Sequence, residues 1–393
     1  MKCFFGTSLP NISMKASHSR NREVIGDNYN VERLHILVEM MHGLGDTVCA
    51  LPMIAELRYM YPHAYICVIC KTEGEQNIIE LSGITVDAII VLDIYKSLYH
   101  TWNIISSLRC KHFDIGISSV ITPVRKSKAF MDLCGVKHHA GYQANGFNVF
   151  STNEHFVVAS VYSARLVVQW YKPVDTDEVS GSKKFIEIDD VIRAPQLYIR
   201  DKEKKYMLKR IGFYPDIALC IGNAGSSFTN RWLRCGKVYP KSWGIHKMKE
   251  LLQLIVDSGY TVVLIGGQQE LALLSSLGEY TRSSRVSTLV GMCDVIESMA
   301  AISLTKVVVG VDTGMQHIAA ALGISTVSIF GPTNPKRCGA YGDRSFFVEA
   351  AVDCKYCYGT KRFIHCSNRF CLQQILPIQV FKQIESVLSD KMK

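Results

Sequence analysis

The chain has 393 residues, of which 48% are hydrophobic and 20% are charged, and its formal net charge is +9. This length predicts two domains, and the composition excludes a disordered chain. No apolar run approaches the ~18–20 residues that cross a bilayer, and residues 1–30 lack the apolar core of a secretion signal. We therefore expect a cytoplasmic protein with a flexible leader at 1–30. No basic stretch interleaved with aromatic residues indicates a nucleic-acid module.

Strands and helices alternate along the first half of the chain, in the pattern of a mostly parallel sheet covered on both faces. Strands are predicted at residues 35–39, 64–69, 88–92 and 113–118, and helices at 47–61, 75–82, 101–108 and from 128. The polar composition of residues 175–184 is typical of an irregular connection.

The same alternation starts again after a helix predicted at residues 202–212. Strands are predicted at 217–221, 261–266, 286–290, 306–311 and, as the final strand, 325–330, and helices at 243–258, 270–280, 296–302 and 316–322. Two such units predict an α/β protein with two Rossmann-like domains, 31–200 and 201–393, facing across a cleft. Ligands in such sheets bind beyond the carboxyl ends of the strands, so the loops there are the candidate site.

A glycine-bearing loop, H-G-L-G-D-T, follows the first strand. Gly43 and Gly45 permit a tight turn with the backbone close to a ligand. Asp46, at the start of the next helix, is either a general base at the cleft or a helix N-cap. The loop lacks the third glycine of a dinucleotide fingerprint, which disfavours a nicotinamide enzyme.

A second loop, V-D-T-G-M-Q-H, ends a strand and begins a helix rich in small residues. The backbone N–H groups of Thr313, Gly314 and Met315 suit a diphosphate, because a helix N-terminus offers free donors and a favourable dipole. His317 lies one turn further and adds a donor. The alternative is that Asp312 caps the helix and His317 is a core histidine.

A third loop follows the strand at residues 217–221 and contains small and hydroxyl residues. Ser226 and Ser227 offer N–H and O–H groups to phosphate, and Lys237 offers the positive charge that a departing diphosphate requires. The alternative is a loop that is merely polar.

Four cysteines, Cys354, Cys357, Cys366 and Cys371, lie close together near the C-terminus. Their C-x2-C spacing with two further cysteines is typical of a thiolate site for zinc or iron, which would be structural. Two disulfides or free thiols are the alternatives, and His365 is an alternative fourth ligand. Cys67 and Cys70 also form a C-x2-C pair, but they lie in a predicted strand, where residues three apart face opposite sides. We interpret that pair as core packing.

Together the motifs G-L-G-D-T, K-V-Y-P and D-T-G-M-Q-H-I-A-A-A-L-G with I-F-G-P-T-N-P resemble glycosyltransferase family 9, the heptosyltransferases of lipopolysaccharide core. The resemblance runs from about residue 35 to the C-terminus. It implies a GT-B fold, here with a small cysteine finger at residues 353–372, and a donor that is usually ADP-heptose, bound mainly by the C-terminal domain. Two departures are the roughly thirty extra leading residues and a longer loop at residues 229–236.

The resemblance also implies roles for individual residues. Asp46 corresponds to the proposed catalytic base, and Lys237 to the lysine of the family's K-x-W-P motif, with Tyr239 in place of the usual tryptophan. The positions implied to bind the donor are Gly45, Ser226, Ser227, Glu270, Met292, Asp312, Thr313, Gly314 and His317.

The implied reaction is an inverting transfer that needs no catalytic metal. The acceptor would lie against the N-terminal domain, where Arg125, Lys126 and Lys128 would meet acidic sugars or phosphates; the alternative is a solvated helix start. The expected partners are a nucleotide-diphosphate sugar and a lipid-linked oligosaccharide at the inner face of the inner membrane. A protein acceptor, a sugar epimerase and a non-catalytic nucleotide-sugar-binding scaffold are the competing hypotheses.

Overall fold

The computed structural model describes residues 33–94, 96–119, 124–140, 154–165, 167, 192–222, 241–366 and 368–390, and the structural statements below concern these residues. The predicted leader and the connection at residues 175–184 lie outside them. Within the described part of the chain, no helix combines the length and the apolar character needed to cross a membrane.

The first half of the chain forms a five-stranded parallel sheet in the order β3-β2-β1-β4-β5. Its elements are β1 His35–Met40, α1 Leu44–Met60, β2 Tyr65–Cys70, α2 Glu73–Leu81, β3 Ala88–Val91, α3 Leu98–Arg109, β4 Ile115–Ser118, α4 Val124–Leu133, β5 His138–Ala140 and α5 Phe156–Arg165. Cys67 and Cys70 are fully buried and belong to different hydrophobic clusters, which confirms that they are core residues on opposite faces of β2.

The second half forms a six-stranded parallel sheet in the order β11-β10-β9-β6-β7-β8. Its elements are α6 Asp201–Ile211, β6 Ile217–Cys220, α7 Ile245–Asp257, β7 Val262–Ile265, α8 Leu271–Leu277, β8 Val286–Thr288, α9 Val295–Ser303, β9 Val307–Val311, α10 Gly314–Ala321, β10 Ser325–Phe330, α11 Pro335–Cys338, β11 Ser345–Glu349, α12 Lys361–Ile364, α13 Phe370–Gln373 and α14 Pro377–Asp390. The two parallel sheets confirm the predicted pair of Rossmann-like domains.

The prediction that β10 is the final strand is wrong, because β11 pairs with it at the edge of the sheet. Every residue of β11 is only partly buried, whereas β9 and β10 are buried along their whole length. Its sequence, S-F-F-V-E, holds only three consecutive apolar residues between a serine and a glutamate, which is a weaker strand signal than the V-V-V-G-V of the buried central strand β9.

The two halves share one hydrophobic cluster that runs across the domain boundary. It includes Ile54 of α1, Met299 of α9 and Ile318 of α10. Helix α1 packs against both α5 and α10. This packing brings the N-terminus of α1, from the first sheet, to the N-terminus of α10, from the second.

Candidate active site

The candidate site lies where the N-termini of α1 and α10 touch, and the contact depends on two glycines. A Cβ atom on Gly45 would lie 2.8 Å from Cδ2 of His317 and 3.2 Å from Cα of Gly314. A Cβ atom on Gly314 would lie 3.0 Å from the backbone nitrogen of Gly45. Such distances leave no room for a side chain on either residue, so the two loops singled out in the sequence form one site.

Asp46 lies in the first turn of α1, after Gly43, which is the N-cap. The N-cap alternative for Asp46 is therefore wrong. The side chain keeps some exposure to solvent but is otherwise surrounded by protein, and this burial raises the pKa of Asp46 above its usual value. His42 and Lys241 act to lower the pKa, whereas Asp312 acts to raise it. A carboxylate with a raised pKa that remains accessible is suited to general base catalysis.

Asp312 is buried and lies just before α10. Its Oδ2 accepts a hydrogen bond from Nζ of Lys241 at 2.7 Å and another from Oγ1 of Thr333 at 2.8 Å. Burial opposes ionisation of Asp312, but the Lys241 ammonium outweighs it and holds the pKa below its usual value. The N-cap of α10 is Thr313, so the proposal that Asp312 merely caps this helix is wrong.

His317 is buried at the contact between the two helices. Its Nδ1 lies 3.4 Å from Sγ of Cys49 on α1. Burial lowers the pKa of His317, so the imidazole is neutral at pH 7. Burial raises the pKa of the Cys49 thiol well above its usual value, and nearby Asp46 raises it further. This side of the site therefore holds a neutral imidazole and a neutral thiol.

The residues that begin α10 remain partly exposed, although the helix behind them is buried. Thr313, Gly314 and Met315 each keep some solvent contact. The first N–H groups of a helix have no carbonyl partner within the helix, so they are free to bind an anion. Three of the residues predicted to bind phosphate or departing diphosphate, Ser226, Ser227 and Lys237, lie outside the described residues.

The second predicted donor region follows β7 and β8, at the carboxyl edge of the same sheet. Oε2 of Glu270 accepts a hydrogen bond from the backbone nitrogen of Gly267 at 2.8 Å, and burial raises the pKa of this carboxyl. A Cβ atom on Gly222, which follows β6, would lie only 2.0 Å from Cγ of Glu270. Met292 is exposed, and its carbonyl accepts a hydrogen bond from Nη2 of Arg210 at 2.6 Å. Glu270 thus hydrogen-bonds within the loop after β7 and packs against Gly222 in the loop after β6.

The predicted acceptor residues begin α4, which follows β4, a direct neighbour of β1 in the sheet. Lys126 and Lys128 are exposed, and Nζ of Lys128 pairs with Oδ2 of Asp132 at 2.6 Å. The side chain of Arg125 lies outside the described part. Nearby, Oγ of Ser127 lies 2.7 Å from Nε2 of His139. No sequence pattern indicates this Ser–His contact, because β5 is not among the predicted strands.

The four C-terminal cysteines approach one another but do not form a closed metal site. Burial raises the pKa of the Cys371 thiol to about 11, and the thiols of Cys354, Cys357 and Cys366 add to the effect. No group of three or more His, Cys, Asp or Glu side chains among the described residues is arranged to hold a metal ion. None of the twelve described cysteines forms a disulfide. The metal site therefore stays a prediction.

The chain resembles known proteins in both sequence and fold. A family model described as glycosyltransferase family 9 (heptosyltransferase) matches residues 102–366. Lipopolysaccharide heptosyltransferase 1 of Pseudomonas aeruginosa is 32% identical over 166 residues, which cover 38% of this chain and 44% of that protein. The matched segment thus spans less than half of that relative.

Two solved structures resemble the whole fold. Escherichia coli ADP-heptose lipopolysaccharide heptosyltransferase II has a TM-score of 0.68 at 20% identity, covering 92% of this chain and 100% of that one. A family 9 glycosyl transferase from Veillonella parvula has a TM-score of 0.69 at 17% identity, covering 93% and 100%. These likenesses confirm the GT-B fold that the sequence motifs imply.

Proposed function

Because the chain belongs to glycosyltransferase family 9, we propose that it transfers heptose from ADP-heptose to a lipopolysaccharide core acceptor. The names of the relatives support this choice, since one is called a lipopolysaccharide heptosyltransferase and the other an ADP-heptose lipopolysaccharide heptosyltransferase. The observation that carries the proposal is the contact between α1 and α10, which brings the carboxylate of Asp46 to a helix N-terminus suited to a diphosphate.

In the proposed reaction Asp46 is the general base. It takes the proton from an acceptor hydroxyl, and the oxygen then attacks the anomeric carbon of the donor from the face opposite the diphosphate. The bond between that carbon and the diphosphate oxygen breaks, ADP leaves with the electron pair, and the anomeric configuration inverts. General base catalysis of this kind typically contributes ~10²–10⁴-fold to the rate.

The leaving diphosphate needs stabilisation as its negative charge develops. The N–H groups of Thr313 and Gly314 supply it in this proposal, together with Lys237, which corresponds to the family's motif lysine. Removal of one such preorganised donor costs on the order of 10²–10³-fold in rate. The neutral ring of His317 adds a further hydrogen-bonding group without adding charge.

For the acceptor we propose a phosphorylated, lipid-linked oligosaccharide bound by Arg125, Lys126 and Lys128. The reaction would then take place in the cytoplasm, with peripheral contact at the inner face of the inner membrane. The basic net charge of +9 suits both an anionic acceptor and an anionic surface.

We also propose that Cys354, Cys357, Cys366 and Cys371 bind a structural zinc or iron ion. Four thiolates have the right chemistry for either metal. The described side chains are not arranged as a closed site, so no step of the reaction depends on this ion. Elemental analysis tests the idea: about one zinc or iron per chain is expected, and metal-free purified protein would contradict it.

The reaction is tested with ADP-heptose and heptose-deficient core lipopolysaccharide, using wild-type protein and D46N. We expect transfer with inversion, read from the anomeric coupling in the product, and a loss of ~10²–10⁴-fold in D46N. D201N is the control, because Asp201 is 88% exposed and lies away from the site, on α6. Full activity in D46N would exclude Asp46 as the base, and no transfer from any nucleotide sugar would exclude the enzyme. Transfer to protein alone would change the acceptor class.

A further inference from the structure

Lys241 lies in the centre of the site, although no motif assigned it a role. Its side chain is only 17% exposed, and Nζ lies 2.7 Å from Oδ2 of Asp312. On another side, Nζ lies 4.7 Å from the centroid of the Tyr358 ring. The ammonium is thus held between a buried carboxylate and an aromatic ring, in a geometry where both contacts are attractive.

The groups around Lys241 are fixed by the loops of the C-terminal sheet. The backbone nitrogen of Tyr358 donates to the carbonyl of Pro332 at 3.0 Å, and Oγ1 of the next residue, Thr333, donates to Asp312 at 2.8 Å. The loop after β10 therefore holds both partners of Lys241. Through Tyr358, the cysteine-bearing segment also reaches the candidate site.

The negative charge of Asp312 would oppose diphosphate binding, and Lys241 neutralises that charge. Asp312 lies immediately before the N–H groups of Thr313 and Gly314, which suit a diphosphate. An unpaired carboxylate at that place would repel a diphosphate, and its own burial would be costly. With Lys241 in place, the Lys241–Asp312 pair carries no net charge. The positive end of the α10 dipole can then attract the diphosphate.

We propose that Lys241 is a positioning residue for sugar transfer, which neutralises and orients Asp312 so that the N-terminus of α10 receives the donor diphosphate. This inference rests on the function proposed above. Lys241 differs from Lys237, the family's motif lysine, because it acts through Asp312 rather than on the leaving group.

The arrangement also predicts an effect on Asp46. Among the described residues, the charged and titratable groups that interact with Asp46 are His42, Lys241, Asp312, Cys49 and Cys338, and His317 lies beside Cys49. Burial keeps both thiols protonated and His317 neutral near pH 7, so His42 and Lys241 are the groups of this set whose positive charge lowers the pKa of Asp46. Loss of Lys241 should raise the pKa of Asp46 and move the acid limb of the pH–rate profile to higher pH.

The experiment compares K241M and K241R by kcat/KM for ADP-heptose across pH, by calorimetric ADP binding and by Tm. We expect K241M to lower kcat/KM by about 10²-fold, the scale of a misplacement near the reacting groups, and to shift the acid limb upward. K241R should restore the position of the acid limb. The control is K306M, because Lys306 also pairs with an aspartate, Asp216 at 2.8 Å, but at the opposite edge of the sheet.

The ring contact is tested separately with Y358F and Y358L. Y358F keeps the ring and should resemble wild type, whereas Y358L should weaken ADP binding by about 2–30-fold, the range of one cation–π contact.

An ordinary structural role would lower Tm without moving the pH profile. The inference is overturned if K241M keeps the wild-type acid limb and wild-type ADP affinity. Failure of the wild-type protein to transfer heptose would refute the proposed function. ADP affinity is measured without acceptor, so it tests the inference about Lys241 even in that case.

Discussion

Replacing Gly45 with alanine tests the contact between the two helix N-termini. The backbone of Gly45 does not require glycine, since no positive φ occurs there. The effect of G45A is therefore a matter of space alone. The new methyl group would point at Cδ2 of His317 at 2.8 Å and at Cα of Gly314 at 3.2 Å.

These distances give the size of the disturbance. Carbon atoms in ordinary contact lie ~3.5–4.0 Å apart, so α1 and α10 must separate by roughly 1 Å. A misplacement of about 1 Å at a catalytic centre costs on the order of 10²-fold in rate. We expect G45A to lower kcat/KM by about 10–100-fold, and overpacking to cost about 1–3 kcal/mol of stability if the helices do not separate.

The assay measures kcat/KM for ADP-heptose, ADP affinity and Tm for G45A beside G43A. Gly43 is the matched control, because it lies in the same loop and its Cβ would meet only Oδ2 of Asp46, at an ordinary 3.7 Å. G43A should keep most of the activity. Equal activity in G45A and G43A would refute the close contact between α1 and α10 and, with it, the assignment of both loops to one site.

Two further predictions concern stability and the nucleotide side. Burial raises the pKa of Asp46 in the folded state, so the ionised carboxylate lowers the free energy of unfolding. Protonation of Asp46 at lower pH removes this penalty. D46N should therefore melt above wild type at pH 7.5, and the gap should narrow as the pH falls and Asp46 becomes protonated in wild type; a D46N variant that is less stable than wild type at pH 7.5 would contradict the sign. G222A should lower stability by about 1–3 kcal/mol and weaken ADP binding, because its Cβ would displace Glu270, only 2.0 Å away, whereas G267A meets a flexible carboxylate oxygen at 3.3 Å and should be milder. Similar melting temperatures for G222A and G267A would argue against close packing of Glu270 on Gly222.

Much of the fold could be predicted from the sequence, because central parallel strands are buried on both faces and leave continuous apolar runs. The central strand β9 has such a run, V-V-V-G-V, and is predicted from it. The partly buried β11 holds only three consecutive apolar residues between a serine and a glutamate, and β5 is three residues long, so neither is predicted.

The candidate site was partly predictable for a related reason. Asp46 and Asp312–Gly314 each follow a strand, and the ligand-binding edge of a parallel sheet is known from topology alone. Lys241 follows no strand and belongs to no motif. Its role comes from a tertiary ion pair with Asp312 and a ring contact with Tyr358, neither of which leaves a local pattern in the sequence.

The central claim is that one site binds a nucleotide-diphosphate sugar at the N-terminus of α10 and activates an acceptor with Asp46. Its most direct test is the melting shift of wild type and D46N with ADP-heptose, beside UDP-, GDP- and dTDP-sugars, followed by a transfer assay on both proteins. Ligand at 100 times its Kd should stabilise the fold by roughly 2.7 kcal/mol. We predict a selective shift with ADP-heptose in both proteins and transfer by wild type alone. Absence of a shift with every nucleotide sugar would contradict the account.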